Sequence, residues 1–326
     1  MKRSTPEFGA DAVRDAVRGA LGHAQIELPT HLSKGYGNEN WQLRTERETL
    51  LCKIGRAGTP VEKWRAAARG RELAEAAGVP VPRLLYATES CEVLDGRMLR
   101  VFEYVEGCHP SELAADALGI FWAELGAAVK RLHTIELHGF SSRLDGSAPW
   151  FETWDAYLDY RIPQIQERIR ATECFEPDSV EVLWDEIRRA AHTCAPYIEP
   201  RLTHRDLHLD NVIATPSGHL AAIIDFDQSE AWDPAADFFK LELLSFELNR
   251  HAREAFYHGY GNPEIVHPGF RTRLYVAATL ELVNQLANVM SEDSSNGDAW
   301  GIDMLKRVLR EAEWTLPAPK QGQQTR

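Results

Sequence analysis

No stretch of this 326-residue chain approaches the roughly 20 consecutive apolar residues that a membrane-crossing helix requires. Its five cysteines, at 52, 91, 108, 174 and 194, form no C-x-x-C pair and no metal-ligand spacing. An odd, scattered set of this kind fits the reduced thiols of a cytoplasmic protein and gives no disulfide framework. There is no low-complexity tract and no convincing internal repeat. The first residues, Met1-Lys2-Arg3-Ser4-Thr5-Pro6-Glu7, lead into an amphipathic stretch and not into an apolar signal core, so the expected location is the cytoplasm. Basic residues are in deficit: 36 Lys+Arg against 49 Asp+Glu give a net charge of −13. The deficit is uneven. Residues 1–105 carry 16 basic and 14 acidic side chains (+2), so residues 106–326 carry 20 and 35 (−15). A field of that sign repels nucleic acid and anionic membranes and favours cationic ligands on the second part of the chain.

What remains is ordinary globular composition, 44% hydrophobic and 26% charged, in a chain long enough for two cores. Phe8, Val13, Val17 and Leu21 recur at helical spacing over residues 6–23. Leu32, Trp41-Gln42-Leu43 and Leu50-Leu51-Cys52-Lys53-Ile54 read as strands, and Lys34-Gly35-Tyr36-Gly37-Asn38 as a glycine-rich turn between the first two. An Ala-, Glu- and Arg-rich helix over 61–77 ends at Gly78, and strands are expected near 91–95 and 98–104. Beyond Glu106-Gly107 the pattern turns helical: 118–133, two helices within 151–195 divided around Pro177, 234–258, 270–290 and about 301–314. Short strands and turns fill 201–227. The domains expected are therefore 1–105 and 106–316, followed by a polar, disordered tail over 317–326.

The chemistry concentrates in one segment. Residues 204–211 read His-Arg-Asp-Leu-His-Leu-Asp-Asn, and fourteen residues later comes Ile224-Asp225-Phe226-Asp227. Kinases use H-R-D-x-x-x-x-N with a following strand-end Asp to orient a hydroxyl and to hold Mg²⁺. In that pattern Asp206 is the catalytic carboxylate, and Asn211 and Asp225 are the hard-oxygen metal ligands. His204 fits a loop brace better than a proton shuttle, and His208 is open between support and substrate contact. Lys53 ends an apolar strand, where an inward ammonium needs an anion such as the phosphates of a nucleotide. Its helix carboxylate is displaced or missing: the expected position falls near Ala66 or Ala67, leaving Glu62 as the nominee and Glu72 as the fallback. The backbone around Gly35 and Gly37 suits phosphates. The Glu103 carbonyl and Val105 amide suit an adenine edge.

Together with Gly78-Val79-Pro80-Val81-Pro82, Glu103–Gly107, Leu132-His133 and Asp225-Phe226-Asp227 … Trp232-Asp233-Pro234-Ala235-Ala236-Asp237, these motifs resemble the aminoglycoside phosphotransferase / choline kinase-like branch of the protein-kinase superfamily. The similarity runs from about Leu32 to Glu281. It implies an α+β, bilobal protein-kinase-like fold, with a small antiparallel N-terminal sheet lobe carrying a helix and a larger, mainly helical C-terminal lobe. It also implies Mg²⁺-dependent transfer of the γ-phosphoryl of ATP or GTP to a hydroxyl, Asp206 as base, and Asp237 as a carboxylate bracing the loop. Glu247 and Glu281 fall where antibiotic kinases bind ammonium groups, and Glu281, Asn284 and Asn288 form a polar stripe at helical spacing. Asp227 and Glu230 are further acceptor-side candidates, and Asp227 is open to a second Mg²⁺. The acceptor expected is a small, hydroxylated, cationic molecule such as an aminoglycoside-type antibiotic. The alternatives are a Ser/Thr protein substrate, suggested by His204-Arg205-Asp206, or an amino alcohol or sugar. Arg205 departs from the branch, which more often has Gly there. A monomer or homodimer is expected, with no nucleic acid or membrane partner.

Overall fold

A computed structural model describes residues 5–22, 25–33, 37–170, 177–246 and 249–291. The expected helix at 301–314 and the tail at 317–326 lie outside them. Elements run in the order α1 (Ala10–Leu21), β1 (Thr30–Leu32), β2 (Asn38–Arg44), β3 (Thr49–Gly55), α2 (Val61–Ala76), β4 (Leu84–Cys91), β5 (Arg97–Glu103), α3 (Ala115–His133), α4 (Trp154–Arg170), α5 (Pro177–Cys194), β6 (Arg201–Thr203), β7 (Val212–Ala214), β8 (Leu220–Ile223), β9 (Glu230–Trp232), α6 (Arg250–Tyr260), α7 (Pro263–Val266) and α8 (Phe270–Ser291). No helix among the described residues is long and apolar enough to cross a membrane.

Two compact units emerge. The first comprises the residues up to Phe121 together with Arg143–Ser147 and Leu209–Gln228. The second comprises Trp122–Ser142, Ala148–His208 and the residues from Ser229 onward. In the first, five antiparallel strands are ordered β1-β2-β3-β5-β4. Alternation in β2, β3 and β5 puts Trp41, Leu43, Leu50, Cys52, Ile54, Leu99 and Val101 on one face, where Val13, Ala16 and Val17 of α1 cover them. The register pairs Asn40 with Lys53 and Lys53 with Arg100, so these three share the opposite face. The hairpin of β7 and β8 belongs to this unit too, and Ile223 N–H donates to the Pro80 carbonyl at 2.8 Å.

One strand differs from the sequence expectation. The strand placed near 91–95 is β4 at Leu84–Cys91, and Glu92–Leu94 form a 3-10 turn closed by Asp95 at φ 50°. β4 is an edge strand with two register shifts and mostly half-exposed or exposed residues, so the period-2 signal is lost. The helix expected over 234–258 is also interrupted: a 3-10 turn (Pro234–Asp237), a π turn (Leu241–Phe246) and α6 replace it.

The second unit buries Trp122, Leu125, Val129 and Leu132 of α3 with Phe238, Phe246, Phe256 and Tyr260, an aromatic cluster joined edge to face. Here α3 and α6 approach so closely that only glycine fits. A Cβ on Gly259 would overlap the Ala123 carbonyl, and one on Gly126 the Phe256 carbonyl. Gly259→Ala is therefore expected to lower stability by about 3 kcal/mol, read by urea denaturation, because backbone and not a side-chain tip would have to move. An unchanged midpoint would contradict this packing.

Candidate functional site

Two sets of polar residues stand out, one in each unit. In the first unit, Lys53 emerges from β3 on the face opposite the apolar core. Its Nζ lies 3.0 Å from Asp225 Oδ1, with 16% of the Lys53 side chain and 40% of the Asp225 side chain exposed. Burial alone pushes the Lys53 ammonium down, but the charges of Asp225 and Asp227 outweigh it and hold the group above its ordinary value. Asp225 follows β8 with φ 65°, a left-handed conformation uncommon for a residue with a Cβ and less so for Asp than for most. Next to it, Ile224 N–H donates to the Asn211 carbonyl at 2.9 Å, so Asn211 and Asp225 stand at the same end of the β7–β8 hairpin. Asn211 is 7% exposed.

Asp227 opens onto the same face. Its Oδ2 accepts from Asn38 Nδ2 at 2.7 Å. Burial raises this carboxyl, but Lys53, Arg100 and the Asn38 hydrogen bond more than offset that and keep it below the usual range. Arg100 is 5% exposed. Its guanidinium donates to the Trp64 carbonyl on α2 and lies 3.9 Å from the centroid of the Trp64 ring.

The second set is built on the turn after β6. Backbone N–H groups of His204 and Arg205 donate to Asp237, at 2.8 Å to Oδ2 and 2.6 Å to Oδ1, and His133 Nε2 lies 3.0 Å from the same Oδ2. Asp237 is fully buried in effect; burial pushes its carboxyl up, yet His133 and His204 hold it below the ordinary range. His204 is buried, and its Nδ1 accepts from the Asp206 N–H at 3.3 Å. Arg205 sits at φ 66°, its side chain ion-paired with both Glu230 and Glu281 and stacked 3.6 Å over the Trp232 ring. Tyr157 Oη donates to Glu230 at 3.1 Å. Asp206 follows. Its Oδ1 is ion-paired with Lys240, and His208 Nε2 lies 3.5 Å away. Burial raises the Asp206 carboxyl, but His208 and Lys240 together hold it well below the carboxylate range.

Several expectations change. Glu62 does not pair with Lys53; it is exposed in the first turn of α2, because Trp64, Ala67, Arg71 and Ala74 form the buried face of that helix. The fallback Glu72 is exposed as well and lies 3.6 Å from Arg69. Glu230 and Glu281 are not open acceptor-binding carboxylates: they are 9% and 7% exposed and neutralise the Arg205 guanidinium. Glu247 and Gly35 lie outside the described residues. Gly37 is exposed, and a Cβ there would be in ordinary contact with Asp227 Oδ2 at 3.9 Å. Glu103 ends β5, its N–H donating to the Arg83 carbonyl at 3.0 Å, and Val105 is half-buried two residues on. Sequence reasoning missed Lys240, Arg100 and Asn38. For the last two a signal existed: their places in the strand register put them on the Lys53 face.

Chemically, the first set gathers two cations, two carboxylates and two carboxamides, the donors that a polyanion and its divalent cation need. The second presents an ionised carboxylate on a backbone turn fixed from both sides.

Comparison with known proteins identifies the family. A family model described as the phosphotransferase enzyme family (APH) matches residues 30–274. Among solved structures, aminoglycoside phosphotransferase APH(4)-Ia is similar over 92% of this chain and 98% of its own, with 15% identity and a TM-score of 0.71. A thermostable mutant of that protein, in a ternary complex with AMP-PNP and hygromycin B, is 16% identical over the same shares of the two chains, with a TM-score of 0.69. Spectinomycin phosphotransferase APH(9)-Ia, in complex with ADP and spectinomycin, covers 95% of this chain and 99% of its own at 14% identity, with a TM-score of 0.62. No curated protein matches the chain.

Proposed function

Since the chain belongs to the phosphotransferase enzyme family and has its protein-kinase-like fold, we propose that it moves the γ-phosphoryl of ATP or GTP to a hydroxyl of a small molecule, with Asp206 as the carboxylate that orients and deprotonates that hydroxyl. The observation that carries this reading is the anchoring of Asp206: the turn is held at the His204 and Arg205 amides by Asp237, and Lys240 and His208 keep the carboxylate ionised. Phosphoryl transfer asks for such positioning and for cations on the phosphate oxygens more than for covalent chemistry.

Lys53 is the residue proposed to meet nucleotide phosphates, with the backbone at Gly35 and Gly37 and the Glu103–Val105 segment completing the nucleotide contacts. Asn211 and Asp225 would hold Mg²⁺. Their hard oxygen donors, at one end of a rigid hairpin, fit an ion that prefers carboxylate and amide oxygens and retains waters. When bound, Mg²⁺ supplies charge neutralisation on the phosphates.

An aminoglycoside-like acceptor is supported by the antibiotics named for the similar structures and by the −15 charge over residues 106–326. Weighing on the other side, Glu230 and Glu281 are spent on Arg205, Asp233 on Arg273 at 2.6 Å, and Glu242 on Arg253 at 3.1 Å. A neutral sugar or an amino alcohol therefore stays in the acceptor class. A protein substrate loses its main support. Arg205, the residue that suggested a phosphate-regulated loop, is buried in an internal ion pair, and the stretch from Asp225 to Asp237 is taken up by two 3-10 turns and β9.

The test is Mg²⁺-dependent ADP and GDP release by the purified chain against hydroxylated cationic antibiotics, amino alcohols, neutral sugars and a generic protein, with Asp206→Asn as the blank. Turnover on one small-molecule class supports the reading; label entering only protein overturns it. The same assay checks Lys240. With a carboxyl held below its ordinary value, the ionised form persists as pH falls, and the stability it contributes is lost only below the ordinary range. Lys240→Met is expected to move the acid limb of the kcat/KM profile to higher pH, with the same direction for acid unfolding. An unmoved limb would show that Lys240 does not set the charge of Asp206.

A further inference from the structure

Lys53 presents a problem of charge. Its ammonium is largely buried, and the carboxylate at 3.0 Å is Asp225, the same group assigned above to the metal. A carboxylate shared with a divalent cation attracts an ammonium less strongly, so a second anion is needed to hold the lysine. The helix that would carry it does not: Ala66 and Ala67 lie on its buried face, and Glu62 is exposed.

The strand register shows where the anion comes from. Asn40, Lys53 and Arg100 are cross-strand neighbours on one face, and Asn38, two residues before Asn40, shares it. Asn38 Nδ2 grips Asp227 Oδ2 at 2.7 Å, which brings that carboxylate to the face where Lys53 and Arg100 project. Arg100 in turn is fixed by the Trp64 carbonyl and ring. The sheet and α2 are thus tied by Arg100 and Trp64, and no lysine–glutamate pair is needed for that purpose.

We infer that Asp227 is the positioning carboxylate of Lys53, standing in for the helix carboxylate this chain lacks and leaving Asp225 to the metal. The inference rests on the proposed nucleotide reading of Lys53 and Asp225. It assigns to Asp227 a role through Lys53, and neither an acceptor contact nor a second metal ligand. Asn38 orients Asp227 by a hydrogen bond and so belongs to the same device.

The test uses the full chain and needs no knowledge of the acceptor. Affinity for AMP-PNP is measured by calorimetry, once with excess Mg²⁺ and once in EDTA, for the wild type, Lys53→Met, Asp227→Asn, the double variant, and Asp225→Asn. Asp227→Asn is expected to weaken binding by about 10-fold under both conditions, and the double variant to bind no more weakly than Lys53→Met alone, since contacting residues couple. Asp225→Asn is expected to abolish mainly the gain conferred by Mg²⁺. Asn38→Ala should reproduce a smaller loss with the same metal independence, and it carries the test if Asp227→Asn fails to fold. Additive losses in the double variant would overturn the inference. So would an Asp227→Asn defect confined to the Mg²⁺ arm, which would make Asp227 a metal ligand. A wild-type chain with no affinity for AMP-PNP in either arm would remove the nucleotide reading itself, and this inference with it.

Discussion

Replacing Asp206 with Asn is expected to lower kcat by about 10³-fold, or roughly 4 kcal/mol of transition-state stabilisation, while leaving nucleotide affinity near the wild-type value. Asparagine matches the carboxylate in shape and keeps one oxygen for Lys240 and one polar group towards His208. The backbone anchors of the turn, His204 and Arg205 N–H on Asp237, do not involve the Asp206 side chain and survive the change. What disappears is the negative charge and the capacity to take a proton from the attacking hydroxyl. Steady-state kinetics on whichever acceptor the panel reveals, with AMP-PNP calorimetry on the same variant, separates these effects. Turnover within a few-fold of the wild type would end the proposed role of Asp206, and an equal loss of nucleotide affinity would indicate collapse of the fold.

The second large effect is structural. Arg205→Ala should destabilise the protein by about 3–5 kcal/mol, because it leaves Glu230 and Glu281 buried without the guanidinium between them. Burial pushes the Arg205 pKa down, but the two glutamates outweigh it and hold the pKa above its ordinary value, so the guanidinium stays charged throughout the accessible pH range. Its stacking on Trp232 is lost as well. The triple variant Arg205→Met, Glu230→Gln, Glu281→Gln removes charge on both sides and should regain much of the loss, since unpaired buried charge is the dominant penalty. Urea denaturation of the two variants tests this. If Arg205→Ala unfolds at the wild-type midpoint, the ion-pair cluster contributes nothing measurable.

These effects also mark what was legible in the chain. The His204–Asn211 and Asp225–Asp237 runs announced themselves because the family pattern they match has fixed residue types at short spacing, and β2, β3 and β5 because their alternation separates a buried from a polar face. β4 did not, for an edge strand with two register shifts has no clean period. Glu62 falls outside the site because Trp64, Ala67, Arg71 and Ala74 define the buried face of α2, a face that the Ala-, Glu- and Arg-rich composition of that helix does not mark. The misreading of Glu230 and Glu281 has another origin. A carboxylate awaiting a cationic ligand and one already paired with an arginine look alike in sequence, and the distinguishing partner, Arg205, lies 25 and 76 residues away along the chain. Lys240 was hidden for the same reason, being 34 residues from the aspartate it meets.

The way the chain is threaded has a consequence for dissecting it. Leu209–Gln228 belongs to the first compact unit, though the residues on either side belong to the second. A gene fragment ending between residues 104 and 208 would encode Lys53, Asn38 and Arg100 without Asn211, Asp225 or Asp227, and so without the countercharges of that sheet face. No cut before residue 209 yields a self-sufficient version of the proposed nucleotide half. Versions of this protein split before residue 209 should regain nucleotide affinity only when both fragments are present, and a free-standing version of the first unit would require the hairpin to be grafted back through a new linker.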